Sequence, residues 1–155
     1  MRTFSFMKGL VMGLTFALTA LPASAQDIPN LDRLTGKYLY DAFIGQTMDG
    51  IYKRPRERSG TNEFTESFYA DGTTYYREGD VTDDGYWRIQ NDIICFTYAG
   101  DLSGGESCFV VYSSGTCLYS YNPRNVRNGK PISSNAWSAK SLIRGDVSSC
   151  DNLIS

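Results

Sequence analysis

Four carboxylates, Glu63, Glu66, Asp71 and Glu78, lie in or beside runs of β-branched and aromatic residues, where adjacent strands could bring two of them together. Such a pair can hydrolyse a glycoside when its surroundings hold one member protonated. Nothing in the sequence marks that pairing, and carboxylates on exposed strand positions are ordinarily solvated. The 155-residue chain contains no histidine. Ser-His-Asp and Cys-His catalysis, histidine metal ligation and the commonest general base near neutral pH are thereby excluded. Proton transfer is left to carboxylates, tyrosines and lysines. The expectation is a non-enzymatic protein with no catalytic residue, no cofactor and no metal.

Binding chemistry is better represented. The segment Lys53-Arg54-Pro55-Arg56-Glu57-Arg58 sets four cations against one acid. Clustered guanidinium groups chelate phosphate and carboxylate, so Lys53, Arg54, Arg56 and Arg58 are the candidate contact for lipid A phosphates, anionic lipid or an acidic partner. The plainer reading is a solvated loop between the first two strands. Asp80, Asp83 and Asp84 could offer oxygens to calcium, but the Asp-x-Asp-x-Asp-Gly spacing is missing and an ordinary turn is expected over Gly79–Gly85. Of the abundant aromatics, Trp87, Phe96 and Phe109 are assigned to the core. Tyr75, Tyr76, Tyr119 and Tyr121 are the expected contact surface, since tyrosine joins a stackable face to a polar tip.

Cys95, Cys108, Cys117 and Cys150 form an even set with wide gaps and no Cys-x-x-Cys pair. That spacing disfavours a thiolate zinc site or a thioredoxin-like redox centre and favours two disulfides, with three connectivities open. An oxidising compartment fits the amino terminus. Arg2 and Lys8 precede and flank an apolar run from Gly9 to Leu21, followed by Ala23-Ser24-Ala25, the three parts of a secretory signal peptide. The run is short for a bilayer span of roughly 20 residues. Residues 1–25 are therefore expected to be removed, with no membrane span afterwards, and residues 26–155 to form one domain in the periplasm or outside the cell. Removal takes two of the 15 basic residues and none of the 17 acidic ones, so the net charge of −2 becomes −4. A mild acidic balance gives no reason to expect nucleic acid.

The elements that must position these groups are mostly strands. Leu34, Tyr38 and Ala42 recur at helical spacing, which predicts one short helix within Leu31–Phe43, capped by Asn30 or Asp32 and weakened by Gly36. Seven apolar runs follow, Thr47–Lys53, Glu63–Tyr69, Thr73–Glu78, Tyr86–Gln90, Ile93–Tyr98, Ser107–Tyr112 and Thr116–Tyr121. Asp71-Gly72, Asn91-Asp92 and Ser113-Ser114-Gly115 separate them with residues suited to tight turns. A polar stretch, Asn122–Asn135, precedes a last strand or short helix within Ala136–Ile143.

A two-residue turn at Asn91-Asp92 places Trp87 opposite Phe96 and Ile89 opposite Ile94, which sends Arg88 and Cys95 to the other face. With Phe109 and Val111 inward on the next strand, Cys108 also points outward and can bridge Cys95. A turn at Ser113-Ser114 sets Cys117 opposite Val110, again outward, and leaves it for Cys150. That second bridge would draw the carboxy-terminal segment over Val110, Tyr119 and Tyr121, with Leu142 and Ile143 as cover.

The expected fold is therefore all-β, an antiparallel up-and-down meander or small closed barrel of seven to eight strands, with a short N-terminal helix and two disulfides. Whether such a barrel is filled or hollow is not set by the sequence. Gly45-Gln46-Thr47, Phe64–Thr73, Gly85-Tyr86-Trp87-Arg88-Ile89, Ile94–Tyr98 and Cys108-Phe109-Val110-Val111 together resemble a group of small exported alphaproteobacterial proteins described as domains of unknown function. The resemblance covers roughly Leu34 to Tyr121. It implies a Gram-negative periplasmic or secreted location and a lipocalin-like β architecture, and brings no catalytic residues with it. The expected role is an exported binding domain for a small amphiphile or for an envelope or extracellular protein. The alternative is a proteinaceous inhibitor of a secreted hydrolase, acting through a projecting loop.

Overall fold

The computed structural model describes residues 30–100, 104–146 and 150, so the expected signal peptide lies outside the described residues. Chain order runs β1 (Asp32–Arg33), α1 (Gly36–Phe43), β2 (Thr47–Tyr52), β3 (Glu63–Phe68), β4 (Thr73–Glu78), β5 (Val81–Gln90) and β6 (Ile93–Tyr98). It continues through β7 (Ser107–Ser114), β8 (Cys117–Tyr121), β9 (Val126–Arg127), β10 (Lys130–Pro131) and β11 (Ala139–Ile143). Strands β2 to β8 pair in succession, and β11 closes the ring by pairing with both β8 and β2. The result is a closed eight-stranded antiparallel barrel, which leaves no long unpaired edge to template association.

The Asn91-Asp92 turn has both residues at positive φ, 54° and 57°, as a two-residue hairpin requires. It pairs Gln90 with Ile93, Trp87 with Phe96 and Arg88 with Cys95, the register read from the sequence. Cys95 then faces Cys108 directly, and the two form one disulfide while Cys117 and Cys150 form the other. The β7–β8 turn lies two residues later than expected, so Cys117 stands opposite Ser114 and Tyr121 opposite Val110. A displacement of two residues preserves alternation, which is why Cys117 still points outward.

Three expectations are corrected. The helix starts at Gly36, not Leu31, because Gly36 sits at φ +50° and the preceding Asp32–Arg33 runs extended against β7. Val81–Asp84, read as part of a turn, is the first half of β5; its Asp83 is buried and accepts from the Gly100 amide at 2.9 Å. Ile143 stands opposite Met48 and shares its inward face, so only Leu142 joins the outer cover.

Both faces of the barrel wall are packed. Inside, Leu39 and Phe43 of α1 plug one end against Phe68, Trp87, Ile94 and Val111. Gly50 lets the Phe64 ring cross that space, since a Cβ at this position would lie 2.3 Å from Phe64 Cζ. Outside, Val110, Tyr112, Cys117, Tyr119 and Tyr121 form a second cluster with Cys150, covered by Leu31, Val126, Ala136, Trp137 and Leu142. The stretch expected to be merely polar adds Val126 of β9 to that cover. Its carbonyls also take the tyrosine hydroxyls, with Tyr112 donating to Gly129 O at 2.9 Å and Tyr121 donating to Ser134 O. No helix among the described residues is long and apolar enough to cross a membrane.

The Cys117–Cys150 link spans 33 residues and ties the outer cluster together, whereas Cys95–Cys108 spans 13 between strands already paired. Loop closure gives about 4 kcal/mol for the first and about 3 for the second. Serine replacement of Cys117 and Cys150 should lower unfolding free energy by about 4 kcal/mol and speed amide exchange around Trp137. Denaturant titration with hydrogen exchange would show this; slower or unchanged exchange there would contradict the role given to the bridge.

Candidate functional site

Side-chain alternation in β3 and β4 brings charge into the barrel. Glu66 lies between Phe64 and Phe68 on the inward face, and Glu78 follows Thr74 and Tyr76 on the inward face of β4. These are two of the four carboxylates singled out by sequence, whereas Glu63 and Asp71 are exposed at the surface. Beneath the α1 plug, the barrel contains a cavity of about 230 Å³. Met48, Phe43, Phe64, Phe68, Phe96 and Phe109 form its apolar walls. Glu66, three tyrosines, Ser107, Ser120 and Ser141 supply its polar groups, and Arg56 and Arg58 line it from the β2–β3 loop.

Glu66 Oε1 receives Tyr98 Oη at 2.7 Å and lies 2.9 Å from Thr74 Oγ1. Thr74 Oγ1 is also 2.8 Å from Ser67 O, which can only accept. The threonine has one proton, so giving it to Ser67 leaves Thr74 to accept from a protonated Glu66. The neutral carboxyl thus completes the chain. Burial, opposed chiefly by the hydrogen bond from Tyr98, pushes the Glu66 carboxyl up to about 7. Burial, reinforced by Glu66, drives the Tyr98 hydroxyl far above the ordinary tyrosine range. No described residue bonds Glu66 Oε2.

Glu78 is arranged in the opposite sense. Burial raises its carboxyl, but hydrogen bonds from Ser59, Tyr76 and Arg58 together outweigh that and hold it below the usual range. Tyr76 Oη is 2.5 Å from Glu78 Oε2 and 2.9 Å from Tyr52 Oη. With the Tyr76 proton on the carboxylate, the Tyr52 proton closes the relay. Arg58 Nη2 reaches the same carboxylate at 2.7 Å. Two buried carboxyls with opposed protonation are a pattern used in acid–base catalysis. Here both oxygens of Glu78 are already occupied by donors.

The loop between β2 and β3 is the lid of this end. Arg58 is anchored on Glu78, and Arg56 lies over the Tyr52 ring with its guanidinium carbon 3.9 Å from the centroid. Lys53 donates to the carbonyl and side-chain oxygens of Asn135, and its ammonium sits 5.4 Å from the Trp137 ring centroid. Lys53 and Arg54 border an outer groove of about 550 Å³, Arg58 lines the cavity itself, and Arg56 borders both. The four basic residues singled out by sequence are therefore split between two adjoining spaces. A third groove of about 620 Å³ runs outside β2, β3 and β11, where Arg144 is taken up by Asp49 and Thr65.

The tyrosines expected as a contact surface are divided differently. Tyr75 is exposed, but Tyr76, Tyr119 and Tyr121 are at most 1% exposed, because Tyr76 points into the barrel and the other two lie beneath the outer cover. Tyr52, Tyr98 and Thr74 were not singled out as site residues. Alternation with Phe64 and Phe68 was the available signal for Glu66, and alternation with Thr74 and Tyr76 was the signal for Glu78.

The folded protein keeps a proton on Glu66 that the unfolded chain releases at lower pH. Stability contributed by this residue is therefore lost as pH rises from the usual glutamate range to about 7, and levels off above it. The loss is roughly 3 kcal/mol. Glu66→Gln, whose amide has no proton to lose over this range, should gain stability relative to the wild type by roughly 3 kcal/mol between pH 4.5 and pH 8.5, whatever its offset at the lower pH. Urea unfolding at the two pH values measures the difference, and an equal effect at both would refute the assignment. No protein-family model matches the chain, and no curated protein or solved structure matches it either.

Proposed function

We propose that the protein is an exported, non-enzymatic binding domain whose barrel holds one small amphiphile. The observation that carries this reading is the interior cavity, walled by phenylalanines and bearing a buried carboxyl and tyrosine hydroxyls on one side. Binding sites commonly combine apolar walls with a few placed polar groups. The volume suits a modest ligand: an engineered apolar cavity of about 150 Å³ accepts benzene, so about 230 Å³ suits one ring with a short substituent. The two disulfides support an oxidising location outside the cytoplasm. A periplasmic or secreted setting is the location we infer. The inhibitor alternative needs a projecting loop, and the basic loop is instead fastened back at Arg56, Arg58 and Ser59.

The neutral probe 3-phenyl-1-propanol tests the reading. Titration followed by NMR should shift the Met48 methyl and the Phe96 and Phe109 rings, with intermolecular contacts to all three. Ala139 lines the cavity and is buried, so Ala139→Leu should fill part of it and weaken binding at least about tenfold without unfolding the barrel. Shifts confined to the surface, or binding indifferent to Ala139→Leu, would overturn the proposal.

A further inference from the structure

The outer groove and the barrel cavity share Tyr52, Arg56 and Phe109, so they border one another at the lid. Their charge differs. Arg58, on the cavity side, is neutralised by Glu78. No described carboxylate lies within ion-pair distance of Lys53, Arg54 or Arg56. Lys53 meets the neutral oxygens of Asn135 and the Trp137 ring, and Arg56 meets the face of Tyr52. Three uncompensated cations thus surround a groove in a chain whose net charge is −2. The groove also contains the Trp137 ring and Asn125, a flat apolar surface and an amide beside the positive charge. Clustered cations of this kind recognise a carboxylate through charge-assisted hydrogen bonds.

We propose that groove and cavity are two halves of one site for a small organic acid, its carboxylate held by Lys53, Arg54 and Arg56 and its apolar body reaching past Tyr52 into the barrel against Glu66. This rests on the reading of the barrel as a ligand site and names the chemistry of the ligand. The reverse orientation would set an anion beside the Glu66 carboxyl, whose hydrogen-bond partners are the hydroxyls of Tyr98 and Thr74, while Arg58 in the same lining is already neutralised by Glu78, so the desolvation cost would be large.

The orientation makes binding sensitive to pH. An apolar body covering Glu66 removes its remaining solvent, which a neutral carboxyl tolerates and a carboxylate opposes. Tyr52 faces this region from β2, Tyr76 and Glu78 from β4, Asp83 from β5 and Tyr98 from β6, while Arg56 and Arg58 reach it from the lid. The inward residues of β7, β8 and β11 there are uncharged: Ser107, Phe109, Ser120, Ala139 and Ser141. Burial holds the three tyrosines above their ordinary range, donors hold Glu78 below its own, and Glu66 titrates near neutrality. Affinity for an acid already ionised throughout this range should therefore fall as Glu66 loses its proton.

Calorimetric titration of the full protein with 3-phenylpropionate, 3-phenyl-1-propanol and 3-phenylpropylamine tests the proposal, because the three share a body and differ in head group. At pH 6 the acid should bind at least about tenfold more tightly than the alcohol, with the amine weakest. Arg56→Gln, at an exposed position, should remove most of that preference, weakening the acid far more than the alcohol. From pH 6 to pH 8 the acid should lose about tenfold in affinity in the wild type and less than about twofold in Glu66→Gln. If the alcohol or amine binds as tightly as the acid, and Ala139→Leu still weakens it, the acid assignment fails and the barrel reading stands. If Arg56→Gln leaves the preference intact, or the pH dependence persists in Glu66→Gln, the proposed pose fails. If no probe binds, or binding ignores Ala139→Leu, both readings fail together.

Discussion

Closure of the sheet makes the parity of each residue along its strand decisive. In an open sheet one face can remain wet, but here the inner face is enclosed and a large part of the outer face is covered as well. A slip of one position would turn Trp87, Ile94 and Phe96 outward and Arg88 inward, exposing one cluster and burying an unpaired charge. The Cys95–Cys108 bridge lies across directly opposed residues of β6 and β7 and holds that choice covalently. The plug, the lid and the cavity all depend on the same alternation.

Along its axis the barrel divides into a packed apolar end and a polar, partly hollow one. At the packed end, Leu39 and Phe43 descend from one face of α1 onto interior side chains. At the other, Tyr52 and Tyr76 hold one another by their hydroxyls beside the cavity. The two inward carboxyls there meet different demands. Glu78 has Arg58 and two hydroxyl donors, so its charge is supported; Glu66 has hydroxyl partners and no cation, so the neutral form is favoured. The lid is attached through the charged carboxyl. The neutral one is left facing the cavity.

Much of the architecture was legible in residue order. The Asn91-Asp92 turn and the apolar partners around it were enough to assign faces, and the faces were enough to pair four cysteines. The parts that escaped reading are those where a side chain suits two environments. Tyr76, Tyr119 and Tyr121 resemble surface residues by their polar tip, yet each is buried beside an apolar cluster, and Tyr76 and Tyr121 have partners for their hydroxyls. Asp83 and its neighbours looked like turn residues, because a strand opening on Val81-Thr82-Asp83-Asp84-Gly85 carries little apolar signal. Glu66 and Glu78 were noticed as chemistry without being placed inside. The cavity had no sequence signature, since it depends on how far rings such as Phe64 reach across the barrel and not on their number. The basic segment was visible as charge, but its fastening to Tyr52 and Glu78 comes from tertiary contacts.

Strand β11 follows the whole β9–β10 excursion in sequence, yet in space it lies between β8 and β2. Strands β2 and β8, the first and seventh of the ring, therefore have no partner on one side until Ala139–Ile143 arrives. A chain emerging from its amino end would have β2 to β8 assembled as an open, curved ribbon with two sticky margins for the time needed to deliver β11. Non-local closure of this kind is slow relative to hairpin formation. The rate of folding should consequently be set by a late event near the carboxy end, and the interval before it is when the protein is most exposed to aggregation and most in need of a chaperone.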